Sequence, residues 1–230
     1  LLYESCQDVP FIYTSIPALE TCQNELGYFV GPACEPKQQP LNQEYEDWVN
    51  QNDKPIVCIS FGSRPLELTS KENFLNMVEE IQKCIKTSLE YNDFRFVWSL
   101  PKEYQNNIDI NDENVKISSW IPQTGIISHE KCKYIITHCG WGGICESLSH
   151  GVALLCVPLG ADQMYNSSLV LKNNLGILSS QNDMYSELQK LATDEIIEHN
   201  IKNMKEICRA SYNVHNIDSI LDMTRIKLLK

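Results

Sequence analysis

A chain of 230 residues, 43% hydrophobic and 21% charged, is long enough to bury one large core and has the composition of an ordinary globular domain. Its formal net charge of −11 excludes DNA or RNA as partners, because no broad basic face can be assembled; a nucleotide is not excluded, since backbone amides and a helix N-terminus can hold one. The ten cysteines contain no C-x-x-C pair, and Cys58 and Cys156 lie inside apolar runs, so they read as free thiols of a reducing, cytoplasmic compartment.

In chain order, Leu1–Val30 starts without Met and is too short for a domain; it reads as the trailing end of a domain lying upstream. Residues 31–55, rich in Pro and polar side chains, read as a linker carrying one short helix around Tyr45–Asn50. From Ile56 to the C-terminus the pattern alternates. Ile56–Phe61 predicts a strand, and Thr69-Ser70-Lys71-Glu72 a capping box with Thr69 as the cap. Phe74, Val78, Ile81, Ile85 and Leu89 then recur at helical spacing. Further strands are predicted at Phe94–Ser99, Val115–Ser118, Tyr134–His138, Ala153–Val157 and Gly176–Leu178. Helices are predicted at Trp141–His150, Gln163–Asn174 and Tyr185–Ala192, with one more marked by Ile197, Ile201, Met204 and Cys208. The longest apolar stretch, Val152–Leu159, is too short to span a bilayer. This alternation predicts an α/β domain over 56–230, a Rossmann-like parallel sheet with helices on both faces. Ligands in such sheets bind where the strands end, so the residues after each strand carry the functional information.

Three strand exits stand out. Phe61-Gly62-Ser63 allows close backbone approach and offers a hydroxyl, although a plain turn explains a Gly-Ser pair equally well. Thr137-His138-Cys139-Gly140-Trp141-Gly142-Gly143 puts glycines and an imidazole at a helix N-terminus, where amides and dipole favour an anion; it is neither a P-loop nor the G-x-G-x-x-G fingerprint. Glu146, in the helix that follows, reads as a solvated carboxylate or as the acceptor for two vicinal hydroxyls such as a ribose offers. At the third exit, Asp162-Gln163 can hydrogen-bond several hydroxyls of a sugar, while Asp162 reads equally as a helix N-cap.

With Trp120-Ile121-Pro122-Gln123, these residues make an unbroken stretch to Gln163 that resembles the signature box of the UDP-glycosyltransferases, in its plant secondary-product form. Trp120, Pro122, Gln123, His129, His138 to Trp141, Glu146, Ser147, Gly151, Pro158, Asp162 and Gln163 fall where that pattern places them. The resemblance implies the C-terminal half of a two-domain GT-B fold. It implies that Trp120 stacks on uracil with Ile121 beside it, and that Gln123 and Glu146 hold the ribose. His138, Ser63 and the amides of Gly140, Gly142 and Gly143 would hold the diphosphate, and Trp141, Asp162 and Gln163 the sugar. It further implies an inverting, metal-independent transfer of a hexose, expected to be glucose, from a UDP-sugar co-substrate to a small hydroxylated acceptor, with no bound cofactor. The plant form usually has Asn-Ser where this chain has Gly142-Gly143, so two side-chain donors near the phosphates are missing. The family's catalytic histidine belongs to an N-terminal domain, so no base is assigned here. That domain is expected in cis or as a partner subunit. The alternatives are a stand-alone nucleotide-sugar-binding subunit and an inactive truncated copy.

Overall fold

The computed structural model describes residues 40–62 and 67–214, together with 11–13, 16, 19 and 27–29. Two short strands, β1 (Phe11–Tyr13) and β2 (Gly27–Phe29), pair in parallel. Helix α1 (Gln43–Asn50) follows, and then the alternating region the sequence predicts: β3 (Ile56–Ser60), α2 (Lys71–Tyr91), β4 (Arg95–Ser99), α3 (Lys102–Gln105), β5 (Val115–Ser118), α4 (Gln123–Ser128), β6 (Cys132–Thr137), α5 (Trp141–His150), β7 (Ala153–Cys156), α6 (Gln163–Lys172), β8 (Gly176–Leu178), α7 (Met184–Thr193) and α8 (Glu195–Val214). The six strands from β3 onward form one all-parallel sheet in the order β5-β4-β3-β6-β7-β8. Counted along the chain that is 3-2-1-4-5-6, the order of a doubly wound Rossmann fold, and it reverses between β3 and β6. Every residue of central β3 is buried, as a strand covered on both faces requires.

Helix α2 buries Phe74, Met77, Val78, Ile81, Cys84 and Ile85, the apolar stripe of an amphipathic helix. Its N-cap is Ser70, whose hydroxyl oxygen accepts from the Asn73 amide at 3.1 Å, and not Thr69 as the sequence pattern suggests. The capping-box frame fits Thr69, with Glu72 three residues on, whereas Ser70 has Asn73 there; the helix nevertheless begins one residue later than the frame implies, and Ser70 caps it without the reciprocal carboxylate. Two helices, α3 and α4, lack a sequence signal because each is too short to show a period.

The helix expected in the linker packs tightly. Tyr45 and Val49 of α1 join the same buried cluster as Ile16, Leu19 and the sheet residues. Arg95 of β4 is fully buried. Its guanidinium lies 3.9 Å from the centre of the Trp48 ring and donates to the Trp48 and Val49 carbonyls and to Gln51 Oε1. The last turn of α1 has no basic residue of its own, so Arg95 supplies its carbonyls with donors and its dipole with a positive charge. The seven described cysteines are all buried free thiols. Among the described residues, no helix is long and apolar enough to cross a membrane.

Candidate functional site

The reversal point between β3 and β6 brings two strand exits face to face. A side chain added to Gly62, just after β3, would begin 3.1 Å from His138 Cε1; one added to Gly140 would begin 2.6 Å from His138 Nε2. The imidazole therefore lies between two bare backbones: a Cβ at Gly140 would displace the ring, while Gly62 is required chiefly by its left-handed backbone at φ +72°. His138 Nδ1 is buried with no hydrogen-bond partner among the described residues. Burial lowers the pKa of the ring, with the Ser60 backbone nearby and the Asp162 carboxylate pulling the other way. Burial thus favours the neutral over the charged ring.

Beyond His138 the backbone turns sharply. Cys139 adopts φ +64°, a left-handed conformation that L side chains rarely take. Gly140 then forms the N-cap of α5 and provides no side-chain acceptor. The first intrahelical bond is donated by Ile144 to the Gly140 carbonyl, so the amides of Trp141, Gly142 and Gly143 face outward without a cap. Gly142-Gly143 thus presents backbone donors where side-chain donors are absent.

On the other side of the reversal, the β5–α4 loop carries Trp120, whose indole is 65% exposed. Its carbonyl accepts from the Tyr45 hydroxyl at 3.5 Å, which ties the loop to α1. Ile121 is buried and its carbonyl accepts from the Gln123 amide at 2.8 Å, a tight turn that starts α4. Gln123 Nε2 donates to Glu146 Oε2 at 2.9 Å. Two residues that the sequence singled out separately are therefore one hydrogen-bonded pair, with the second Glu146 oxygen open to other donors. Trp120, Ile121, Gln123, Glu146 and Gly62 line a single cleft of about 720 Å³. Ser60, Trp98, Ser99, Lys102 and Thr124 also line it. Sequence reasoning missed these, although Ser60 and Ser99 end strands and were within reach of the strand-exit rule.

Asp162 stands at the N-cap of α6 but makes no capping bond. Its Oδ2 accepts from Asn166 Nδ2 at 2.9 Å, and that same amide donates to the Cys139 carbonyl at 3.1 Å, linking the third exit to the turn beside His138. Gln163 is buried, and its Oε1 accepts from the Leu159 and Gly160 amides at 2.8 and 3.2 Å. Its acceptor half shapes the loop, leaving the NH2 group to donate. Trp141 is half-buried against the core. Ser63 lies outside the described residues. Among the described residues, no group of three or more His, Cys, Asp or Glu side chains is placed to hold a metal ion.

Burial also lowers the pKa of His129 and His150, as it does for His138. A histidine kept neutral in the folded state binds fewer protons than in the unfolded one, so stability is fully present above the unfolded pKa of about 6.5 and declines as pH falls through it. Urea unfolding between pH 8 and 5 is expected to show a plateau followed by this loss; flat stability down to pH 5 would contradict it.

The chain is 25% identical over 175 residues to UDP-glycosyltransferase UGT4 of Dactylopius coccus, covering 74% of this chain and 32% of that protein. It is 29% identical over 178 residues to anthocyanidin 3-O-glucosyltransferase of Solanum melongena, with coverages of 69% and 38%. Against human UDP-glucuronosyltransferase 2B17 the identity is 29% over 187 residues, with coverages of 78% and 33%. The chain therefore spans about a third of the length of these curated relatives. Among solved structures, Medicago truncatula UGT71G1 complexed with UDP-glucose superimposes with a TM-score of 0.73 at 24% identity, covering 97% of this chain and 56% of that one. A UDP-glucose: anthocyanidin 3-O-glucosyltransferase in complex with UDP gives 0.71 at 19% identity, with coverages of 95% and 53%. These two share the fold. A family model described as UDP-glucoronosyl and UDP-glucosyl transferase matches residues 21–217, and the chain belongs to that family.

Proposed function

We propose that this chain is the donor-binding half of a UDP-sugar-dependent glycosyltransferase. The observation that carries the proposal is one cleft lined by Trp120, the Gln123–Glu146 pair and Gly62, with His138 packed directly behind Gly62 and beside Gly140 at the uncapped start of α5; His138 and the α5 glycines are not themselves among the residues lining the cleft. Each has a chemical match in a uridine diphosphate. Trp120 offers a π-face to the base beside the Ile121 backbone. Glu146, held by Gln123, accepts from the ribose hydroxyls. The amides of Trp141, Gly142 and Gly143, the α5 dipole and His138 face the diphosphate, with Ser63 as a further donor. Asp162 and the Gln163 NH2 group, beside Trp141, are the groups for a hexose, and glucose is our choice among hexoses.

In the reaction we infer, an acceptor oxygen attacks the anomeric carbon as the bond from that carbon to the diphosphate oxygen breaks, inverting the centre. The acceptor proton passes to a base outside this chain, in an N-terminal domain in cis or in a partner subunit. Negative charge accumulates on the departing UDP, and preorganised amide donors at α5 stabilise it in the role a metal ion would otherwise fill. The acceptor is a small hydroxylated molecule.

Calorimetric titration with UDP tests this reading; no heat of binding at millimolar UDP would end it. Gly140→Ala sharpens the test, since the new methyl would sit 2.6 Å from His138 Nε2 and swing the ring away. The expected outcome is about a tenfold loss of UDP affinity, the scale of one charge-assisted hydrogen bond, read beside thermal unfolding to confirm that the variant is folded at the temperature of the titration. Unaltered affinity would remove His138 from the diphosphate site.

A further inference from the structure

A second cavity, of about 430 Å³, opens at the opposite, N-terminal edge of the sheet, where β6 and β7 begin at Cys132 and Ala153. It lies between the C-terminal end of α5 and helix α8, and it shares no lining residue with the nucleotide cleft. Its chemistry is unusual for so acidic a protein, because Lys133, Lys202 and Lys205 all line it, with His129 and His150. Two carboxylates, Glu130 and Glu198, are also present. Glu198 is committed to Lys202 at 2.5 Å, and Glu130 is exposed at the rim. Lys133 and Lys205 form no ion pair among the described residues.

Lys205 is half-buried, its stem packed on Gly151 so closely that a side chain there would begin 2.9 Å from Lys205 Cδ. Part of its role is local, since its charge faces the carbonyl end of α5. One lysine suffices for one helix end, however, and here Lys133 and Arg209 stand near it. Burial lowers its pKa first, and Arg209 then lowers it further than Glu206 raises it, with Lys133 adding to the repulsion. Arg209 is itself paired with Glu206 and Lys202 with Glu198, whose charge Lys133 also feels, so Lys133 and Lys205 are the two cations of this wall that lack a direct ion pair among the described residues.

The histidines are oriented by their backbone partners. His129 Nδ1 accepts from the Lys131 amide at 3.2 Å, so in the neutral ring the proton is on Nε2. His150 Nδ1 lies 2.8 Å from the Glu146 carbonyl, which can only accept, so that nitrogen carries the proton and Nε2 is left free. Leu191, Ala192, Ile197 and Ile201 give the cavity an apolar wall, and Ser128 and Tyr134 also line it. Small-molecule sites combine an apolar body with a few polar groups in a cavity of this size.

We propose that this cavity is a second ligand site, for a small organic anion with an apolar body, its charged group meeting Lys133 and Lys205 and its body lying on the α7–α8 wall. The proposal does not depend on UDP binding at the first cleft. Its test is titration of the 230-residue chain with naphthoate, read by chemical-shift perturbation and calorimetry. Naphthoate is expected to perturb residues around His150 and Ile201, and to bind about tenfold more weakly to Lys205→Met. Lys133→Met, at an exposed position where folding is not at stake, is expected to weaken binding as well. Binding must survive Trp120→Ala, which separates this site from the nucleotide cleft. No binding, equal binding of the uncharged naphthylmethanol, equal binding of inorganic phosphate, or indifference to both lysine substitutions would each overturn the proposal.

Discussion

Replacing Trp120 with Ala is expected to weaken UDP binding by one to two orders of magnitude while leaving the melting temperature unchanged. The two halves of that expectation come from one number. With 65% of its surface exposed, the indole contributes little to the core, so truncating it leaves no cavity and the fold keeps its stability. The same exposure makes it a free platform for a base, and stacking of a base on an aromatic side chain contributes about 1–3 kcal/mol. Glu146→Ala should produce a comparable loss, because it removes the acceptor that Gln123 holds in place at 2.9 Å and leaves the Gln123 amide without its partner. His199→Ala, on the exposed face of α8, is the control and should bind UDP as the parent chain does. Isothermal titration with UDP, paired with thermal unfolding of each variant, separates the outcomes. Equal losses in all three variants would indicate general damage and not a site.

Arg95→Met is expected to be the most damaging of these substitutions for the fold, at about 3 kcal/mol, within the range for breaking a buried charged network. Met fills much of the volume, so the loss is chiefly polar. The Trp48 and Val49 carbonyls and Gln51 Oε1 lose a common donor, and the Trp48 ring loses the cation stacked at 3.9 Å. For a chain of this size, that corresponds to a fall in melting temperature of roughly 6–12 °C. Arg95→Lys should recover less than half of it, since a single ammonium cannot reach three acceptors and stack on the indole together. The damage should spread to the cleft at Trp120 as well, because α1 holds the Trp120 loop through the Tyr45 hydroxyl. An unchanged melting temperature in Arg95→Met would show that α1 is held by its apolar contacts, Tyr45 and Val49, alone.

Arg95 also marks the limit of reading this chain by pattern. Placed in a run of Phe, Val and Trp, it looks like a residue at the edge of a strand, and nothing in the local sequence says that it reaches across to cap a helix more than forty residues earlier. Its meaning depends on which element packs beside β4. The same holds for Gln163, whose place in the signature stretch suggests a sugar ligand but whose carbonyl oxygen shapes the loop before α6. Asp162 shows the reverse. Sequence left it balanced between cap and ligand, and the backbone, at φ −76° and ψ −8°, leaves its carboxylate free of capping.

The amino-acid sequence by itself determined the alternation of strands and helices, the apolar stripe of α2 and the glycine-rich start of α5, because each depends on residues within a turn or two of one another. The unbroken stretch from Trp120 to Gln163 also carried the family, since its spacing is a property of the chain. Tertiary structure alone decided the strand order, and with it the reversal that sets Gly62 against His138 across β3 and β6. It alone joined Gln123 to Glu146, placed Ser70 and not Thr69 at the head of α2, and gathered lysines from β6 and α8 around one cavity. The Ser70 cap is a matter of local backbone geometry; for the other three the physical reason is common. A hydrogen bond or a charge cluster is fixed by positions in space, and spatial neighbours follow from the sheet's connectivity, which no local periodicity encodes.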